Sequence, residues 1–132
     1  MIFILTSRTT FGTFVIMETI RIPDFILSVR FYRTESGAEP VRDWLKSLPH
    51  DYKKEIGEDI KTVQFGWPVG MPVVRKLDAG LWEVRSHVKN GIARVIFTIY
   101  DDTMILLHGF IKKSQKTPTD ELETAKRRKS NL

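Results

Sequence analysis

The dipeptide Asn90-Gly91 separates two runs in which apolar and polar residues alternate, and it constrains the fold more tightly than any other feature of the chain. Leu81–Val88 and Ile92–Tyr100 both follow period two, the spacing of a β-strand. Asn-Gly suits a type I′ turn, which needs positive φ at both central residues, so the two runs are expected to fold back as a hairpin. A second, weaker turn signal, Asp101-Asp102, leads into a third alternating run, Thr103–Lys112.

Upstream of Val73 the period is different. Phe25 to Tyr32 is apolar-rich and predicts a first strand, ended by Ser36-Gly37. Val41, Trp44, Leu45 and Leu48 fall at i, i+3, i+4 and i+7, one stripe of a short helix that Glu39-Pro40 opens and Leu48-Pro49 closes. Asp51 can cap a second helix whose stripe is Tyr52, Ile56, Ile60 and Val63, stopped by Gly66 before Trp67-Pro68. Thr119 or Asp120 opens a C-terminal helix through Ala125. The expected class is α+β: a helical hairpin packed on a small antiparallel sheet, with a C-terminal helix.

If both turns hold two residues, the strand register follows. Lys89 then faces Ile92, His87 faces Arg94, and Arg85 faces Ile96; across the second turn Arg94 faces Gly109. Glu83, Arg85, His87, Arg94 and Lys113 would share one face, with Lys112 turned away. Trp82, Val84, Val95, Phe97, Leu106, His108 and Phe110 fall on the other, against the helix pair. Ile96, Ile105 and Leu107 also lie on the basic face and are expected under the C-terminal helix. Placing Arg85 near Arg94 costs self-repulsion, which a bound phosphate would relieve; neutralisation by Glu83 and nearby acids is the plainer alternative.

With 132 residues, 42% apolar and 28% charged, the chain fits one soluble domain. Cysteine is absent, which removes disulfides and thiolate chemistry and suits a reducing compartment such as the cytoplasm. The net charge of +5 favours a polyanionic partner. From Lys112 onward there are seven Lys/Arg against three acids. Within that excess, Lys126, Arg127, Arg128 and Lys129 read as the solvated end of a helix. Residues 1–16 are interrupted by polar residues too soon for a membrane span and lack the basic start of a signal peptide. They read either as an extra hairpin or arm or as upstream sequence ahead of a true start at Met17, the second being favoured, which leaves 17–132 as the single domain.

Several chemistries find no support. His50, His87 and His108 are scattered, without metal-ligand spacing, and no cofactor fingerprint or nucleophile elbow occurs. Neither metal nor cofactor is expected. His108 reads as a hydrogen-bonded core residue, and Trp67 as the one tryptophan that could stack outside the core. Metal-independent RNA cleavage needs less machinery. RNA supplies its own 2′-OH nucleophile, and the protein aligns it, neutralises the phosphorane and moves protons. Arginine suits bidentate phosphate contact, a crowded lysine can exchange protons, and His87 is a candidate acid or base, with a bystander's place at the hairpin edge as the alternative.

Four blocks, Pro72-Val-Val-Arg-Lys-Leu, Gly80-Leu-Trp-Glu-Val-Arg, Ala93-Arg-Val-Ile-Phe and Leu107-His-Gly-Phe-Ile-Lys-Lys-Ser-Gln-Lys-Thr-Pro, occur in this order. Together with Val41-Arg-Asp-Trp-Leu-Lys-Ser-Leu they resemble the phage-derived HigB-like branch of the RelE/ParE toxins, over roughly residues 26–128. The resemblance implies a toxin that cleaves mRNA on the ribosome without metal and is restrained by a cognate helix-turn-helix antitoxin. It further implies Arg85 and Arg94 as phosphate clamps, Lys113 as active-site lysine with Lys116 secondary, and Lys112 as an RNA contact; Lys126, Arg127 and Arg128 are expected, from their charge alone, to guide the chain toward RNA. A tyrosine after the last strand and a histidine-rich ending, both known among relatives, are missing, so the proton-transfer groups stay open. Two other readings remain: a ParE-like gyrase inhibitor without nuclease activity, and a non-catalytic RNA-binding module.

Overall fold

The computed structural model describes residues 26–132. The segment 1–16, the start at Met17 and Phe25 of the first expected strand lie outside the described residues. Eight elements follow in order: β1 (Ser28–Phe31), α1 (Pro40–Lys46), α2 (His50–Gly66), β2 (Val74–Asp78), β3 (Leu81–Val88), β4 (Gly91–Tyr100), β5 (Thr103–Lys112) and α3 (Thr119–Ser130). They form the α+β arrangement that the resemblance implies. One five-stranded sheet, ordered β1-β5-β4-β3-β2, carries α1 and α2 on one face and α3 on the other. The sheet is mixed rather than wholly antiparallel, because β1 enters beside β5 in parallel, from Ser28 opposite Thr103 to Phe31 opposite Leu106.

The helices start and stop a little differently from the expectation. Pro49, not Asp51, stands at the N-cap of α2, and its carbonyl accepts the Tyr52 and Lys53 N–H groups. Asp51 sits inside the first turn, where its charge still complements the helix dipole. α3 continues past Ala125 to Ser130 because its last turn is basic, which suits a helix C-terminus, although no further apolar residue extends its stripe.

The two halves of the hydrophobic core divide by strand parity. Val84, Val95, Phe97, Met104 and Leu106 pack with Ile56, Ile60 and Val63 of α2. Leu81, Ile96, Ile105, Leu107 and Phe110 pack with Ala125 of α3. Trp67 belongs to the first half: it meets Trp82 edge-on at 5.1 Å and Phe97 at 5.6 Å, so it is a packing residue and not an outside stacker.

Register departs from the expectation at both hairpins, with different consequences. In β3–β4, Val88 pairs with Gly91, so Lys89-Asn90 forms the loop and neither residue has positive φ; only Gly91 does, at 146°. The Asn90 N–H donates to the Tyr52 hydroxyl of α2. His87 therefore faces Ile92 instead of Arg94, and Arg85 faces Arg94 instead of Ile96. A slip of two residues keeps every side chain on its face and changes only its neighbours.

In β4–β5 the Asp101-Asp102 turn forms as expected, with Tyr100 opposite Thr103. Between Ile96 and Phe97, however, the partner jumps from His108 to Leu106 and leaves Leu107 as a β-bulge. One inserted residue reverses the facing of everything beyond it. Arg94 consequently lies opposite Phe110, not Gly109, and His108, Phe110 and Lys112 turn to the α3 side. The Leu107 carbonyl, freed by the bulge, accepts from Arg128 Nη1 of α3 at 2.7 Å. Gly109 moves to the helix-pair face, where α1 approaches so closely that a Cβ would sit 2.4 Å from the Trp44 ring.

That contact separates two glycine substitutions. Gly109→Ala must displace Trp44 and should lower stability by about 1–3 kcal/mol. Gly57→Ala, in α2 with open space around its Cβ, should raise it by about 0.5–1 kcal/mol through helix propensity alone. Urea denaturation of the two variants checks both signs.

Candidate functional site

The α3-side face of β2, β3 and β4 gathers cations where a sheet would ordinarily bury hydrocarbon. Arg75 lies opposite Glu83, and Arg85 lies opposite Arg94. Arg94 is 0% exposed, Glu83 0% and Arg85 6%. Like charges directly opposite destabilise a ladder, so the arrangement needs compensation. Glu83 provides part of it. One carboxylate oxygen accepts from Arg85 Nη1 at 3.0 Å, and the other from the Thr117 hydroxyl at 2.8 Å.

The remaining compensation comes from the segment that follows β5. Arg94 Nη2 donates to the Ser114 carbonyl. Arg75 Nη1 donates to the Gln115 carbonyl at 2.8 Å, and Arg85 Nη2 donates to the Gln115 side-chain oxygen at 2.6 Å. Residues 113–117 thus form a strap across the arginines, pinned at its far end by Thr117 on Glu83. Beneath Arg94 lies Phe110, with the guanidinium carbon 5.9 Å from the ring centroid. Burial is the main influence lowering the Arg94 pKa below the ordinary arginine value; Glu83 acts against it, and Arg85 and Arg75 add to it. The group stays a cation, because arginine does not discharge in proteins.

Of the residues expected at the site, Arg85 and Arg94 come together more closely than the expected register allows. Lys113 lies just past the end of β5, exposed on the strap, rather than on the strand face beside the arginines. Lys112, expected to turn away, pairs with Ile92 and lies on the arginine side, also exposed; the bulge at Leu107 accounts for both changes. Lys116 is exposed on the strap, with its carbonyl held by the Ser114 hydroxyl at 3.2 Å. His87 is exposed at the hairpin end of β3, two residues from Arg85 on the same face. His108 is hydrogen-bonded, but on the opposite face from the expected one: Nε2 meets Glu121 Oε1 at 2.6 Å and Nδ1 faces Arg128.

The C-terminal cations divide. Lys126 pairs with Asp78 at 3.0 Å; that hydrogen bond raises its pKa, and the Asp78 pKa is lowered first by the Ala79 N–H and then by Lys126. Arg127 is exposed, whereas Arg128 is committed to Leu107, His108 and the Tyr32 ring. Sequence reasoning left out Arg75, Ser114, Gln115 and Thr117. Arg75 was findable, since alternation along Val74–Asp78 puts it on the Glu83 face once β2 pairs with β3. The strap carbonyls carry no sequence signal. Among the described residues, no group of three His, Asp or Glu lies close enough to hold a metal ion, and no helix is long and apolar enough to cross a membrane.

Among the described residues Glu83 is the sole carboxylate bonded to any of the three arginines, through Arg85, and its loss leaves buried cations uncompensated. Glu83→Ala should therefore destabilise the fold by about 3–5 kcal/mol. Arg127→Ala, on the exposed side of α3, should stay within about 0.5 kcal/mol of the parent. Thermal unfolding of both variants followed by circular dichroism tests the contrast.

Comparison with known proteins gives one family. A family model described as "Phage derived protein Gp49-like" matches residues 43–130, a stretch that includes α2, α3, the strands β2 to β5 and the whole arginine cluster. No curated protein matches the chain. The match spans well over half of the sequence, and the chain belongs to the phage-derived Gp49-like family, which is associated with RelE- and HigB-type toxins.

Proposed function

We propose that this chain is the toxin of a type II toxin–antitoxin pair and that it cleaves mRNA on the ribosome without metal. One observation carries the reading: Arg85 and Arg94 stand directly opposite on adjacent strands, and Gln115 joins Arg75 to them, three guanidiniums with one carboxylate. A fold gains nothing from concentrating like charge on a buried face, whereas a phosphate-binding site does. Membership of a family associated with RelE- and HigB-type toxins supports the same direction.

The chemistry asked of this site is modest. The RNA 2′-oxygen attacks its own phosphorus, the bond to the 5′-oxygen breaks, and a cyclic phosphate and a free 5′-hydroxyl result. One proton leaves the 2′-oxygen and one reaches the departing 5′-oxygen. Arginines on a rigid sheet stabilise the extra negative charge of the phosphorane, for which a single well-placed donor is worth about a hundredfold or more in rate. Lys113 and Lys116 on the strap and His87 at the hairpin end are the exposed groups assigned to carry those protons. Lys112 and Arg127 supply exposed charge for the RNA backbone. A cognate helix-turn-helix antitoxin restrains the toxin through an acidic segment complementary to the basic face.

Expression with and without the neighbouring antitoxin, followed by mapping of mRNA ends in a translating extract, tests the proposal. Codon-phased ends that fall about a hundredfold or more in Arg94→Ala, with Arg94→Lys as a folded control, are the expected result. Growth arrest with intact mRNA and trapped gyrase–DNA complexes would overturn it. RNA retention without new ends would leave only a binding module.

A further inference from the structure

Arg94 is fully buried, yet two of its guanidinium nitrogens, Nε and Nη1, have no hydrogen-bond partner. An unsatisfied buried donor is costly, and more so on a charged group. Around it the charge balance is positive, with Arg75 and Arg85 adding two cations and Glu83 one anion. The strap acceptors that meet these arginines are all neutral oxygens: the Ser114 carbonyl, the Gln115 carbonyl and the Gln115 side-chain amide. All belong to one exposed stretch, Lys113–Lys116. A phosphate offers a guanidinium two parallel hydrogen bonds and a full opposite charge, neither of which a neutral carbonyl supplies.

We propose that the Ser114 and Gln115 oxygens are stand-ins for the non-bridging oxygens of a phosphodiester, which displaces them from Arg75, Arg85 and Arg94 and lifts the strap. The inference rests on the RNA-cleaving reading above and adds a closed resting state to it. The incoming phosphate supplies the missing negative charge and acceptors for Arg94 Nε and Nη1. Thr117, bonded to Glu83, stays as the hinge end of the strap. Lys113 and Lys116 travel with the strap, so opening also repositions the two lysines relative to the bound phosphate.

Nuclear magnetic resonance of the isotope-labelled full chain tests this, with inorganic phosphate and a short single-stranded deoxyoligonucleotide as separate probes. The latter carries phosphodiesters but no 2′-OH, so it is not consumed. The expected result is saturable movement of the Arg85 and Arg94 Nε–H signals together with the Ser114, Gln115 and Lys116 amides. Gln115→Ala removes one competing acceptor and should tighten deoxyoligonucleotide binding about tenfold. Shifts confined to lysine side chains, with the Arg94 signal unmoved, would overturn the proposal. Displacement by phosphate but not by the oligonucleotide would overturn the phosphodiester assignment. Unchanged or weaker binding by folded Gln115→Ala would show that the strap is part of the binding surface and sink the exchange; the parent titration stands if that variant does not fold. Strap displacement without RNA cleavage would uphold this inference and defeat the nuclease reading, and cleavage without displacement would do the reverse.

Discussion

The structure depends on a carboxylate that touches no solvent. Glu83 sits on β3 between Arg75 on one neighbouring strand and the Arg85–Arg94 pair toward the other, and both its oxygens are engaged. Without it the face would hold two buried cations beside a half-buried third, and for buried charge a missing partner costs far more than the pair itself contributes. One of its oxygens steadies Arg85 and the other fixes Thr117, so a single side chain couples the sheet to the strap. Strand pairing alone would drive those arginines apart.

A second constraint, the bulge at Leu107, decides what the arginines rest on. Inserting one residue into β5 brings Phe110 under Arg94 and frees a backbone carbonyl that would otherwise pair in the ladder. Arg128 of α3 occupies that carbonyl and also reaches the His108 ring, whose far nitrogen meets Glu121. The C-terminal helix is thereby tied to the irregularity that shapes the arginine face. Cations that look interchangeable along the chain separate into distinct jobs: Arg128 holds the bulge, Lys126 pairs with Asp78, and Arg127 remains exposed.

Much of the architecture was legible from periodicity, because the helix stripes and strand alternations that bury the core are the same residues that write the pattern. Ile56, Ile60 and Val63 on one side and Val84, Val95 and Phe97 on the other fall where the spacing puts them. Face assignment survived the β3–β4 misregister because that slip was of two residues. It failed beyond Leu107 because a bulge leaves no mark in a hydrophobic sequence, and Lys112, Lys113, His108 and Phe110 all changed sides or position as a result. The parallel seat of β1 beside β5 was equally silent, since nothing in four residues of strand states which edge they join. At the site, arginines could be picked out by type and alternation. The strap could not, since its contribution is made largely by backbone carbonyls that every residue possesses.

Burial of Arg94 bears on how a site of this kind could act at all. An exposed arginine must shed water and lose side-chain freedom before it grips a phosphate, and both work against binding. Here the guanidinium is already stripped of water and packed over Phe110, so those losses fall on folding instead of on binding. The consequence is a donor array whose orientation is set before any ligand arrives, the arrangement that stabilises developing charge most effectively. The same burial means that a ligand reaching Arg94 must replace something, and the strap oxygens are the groups in its way. Preorganisation and closure are therefore two results of one packing choice: the arginines are held ready because they are covered.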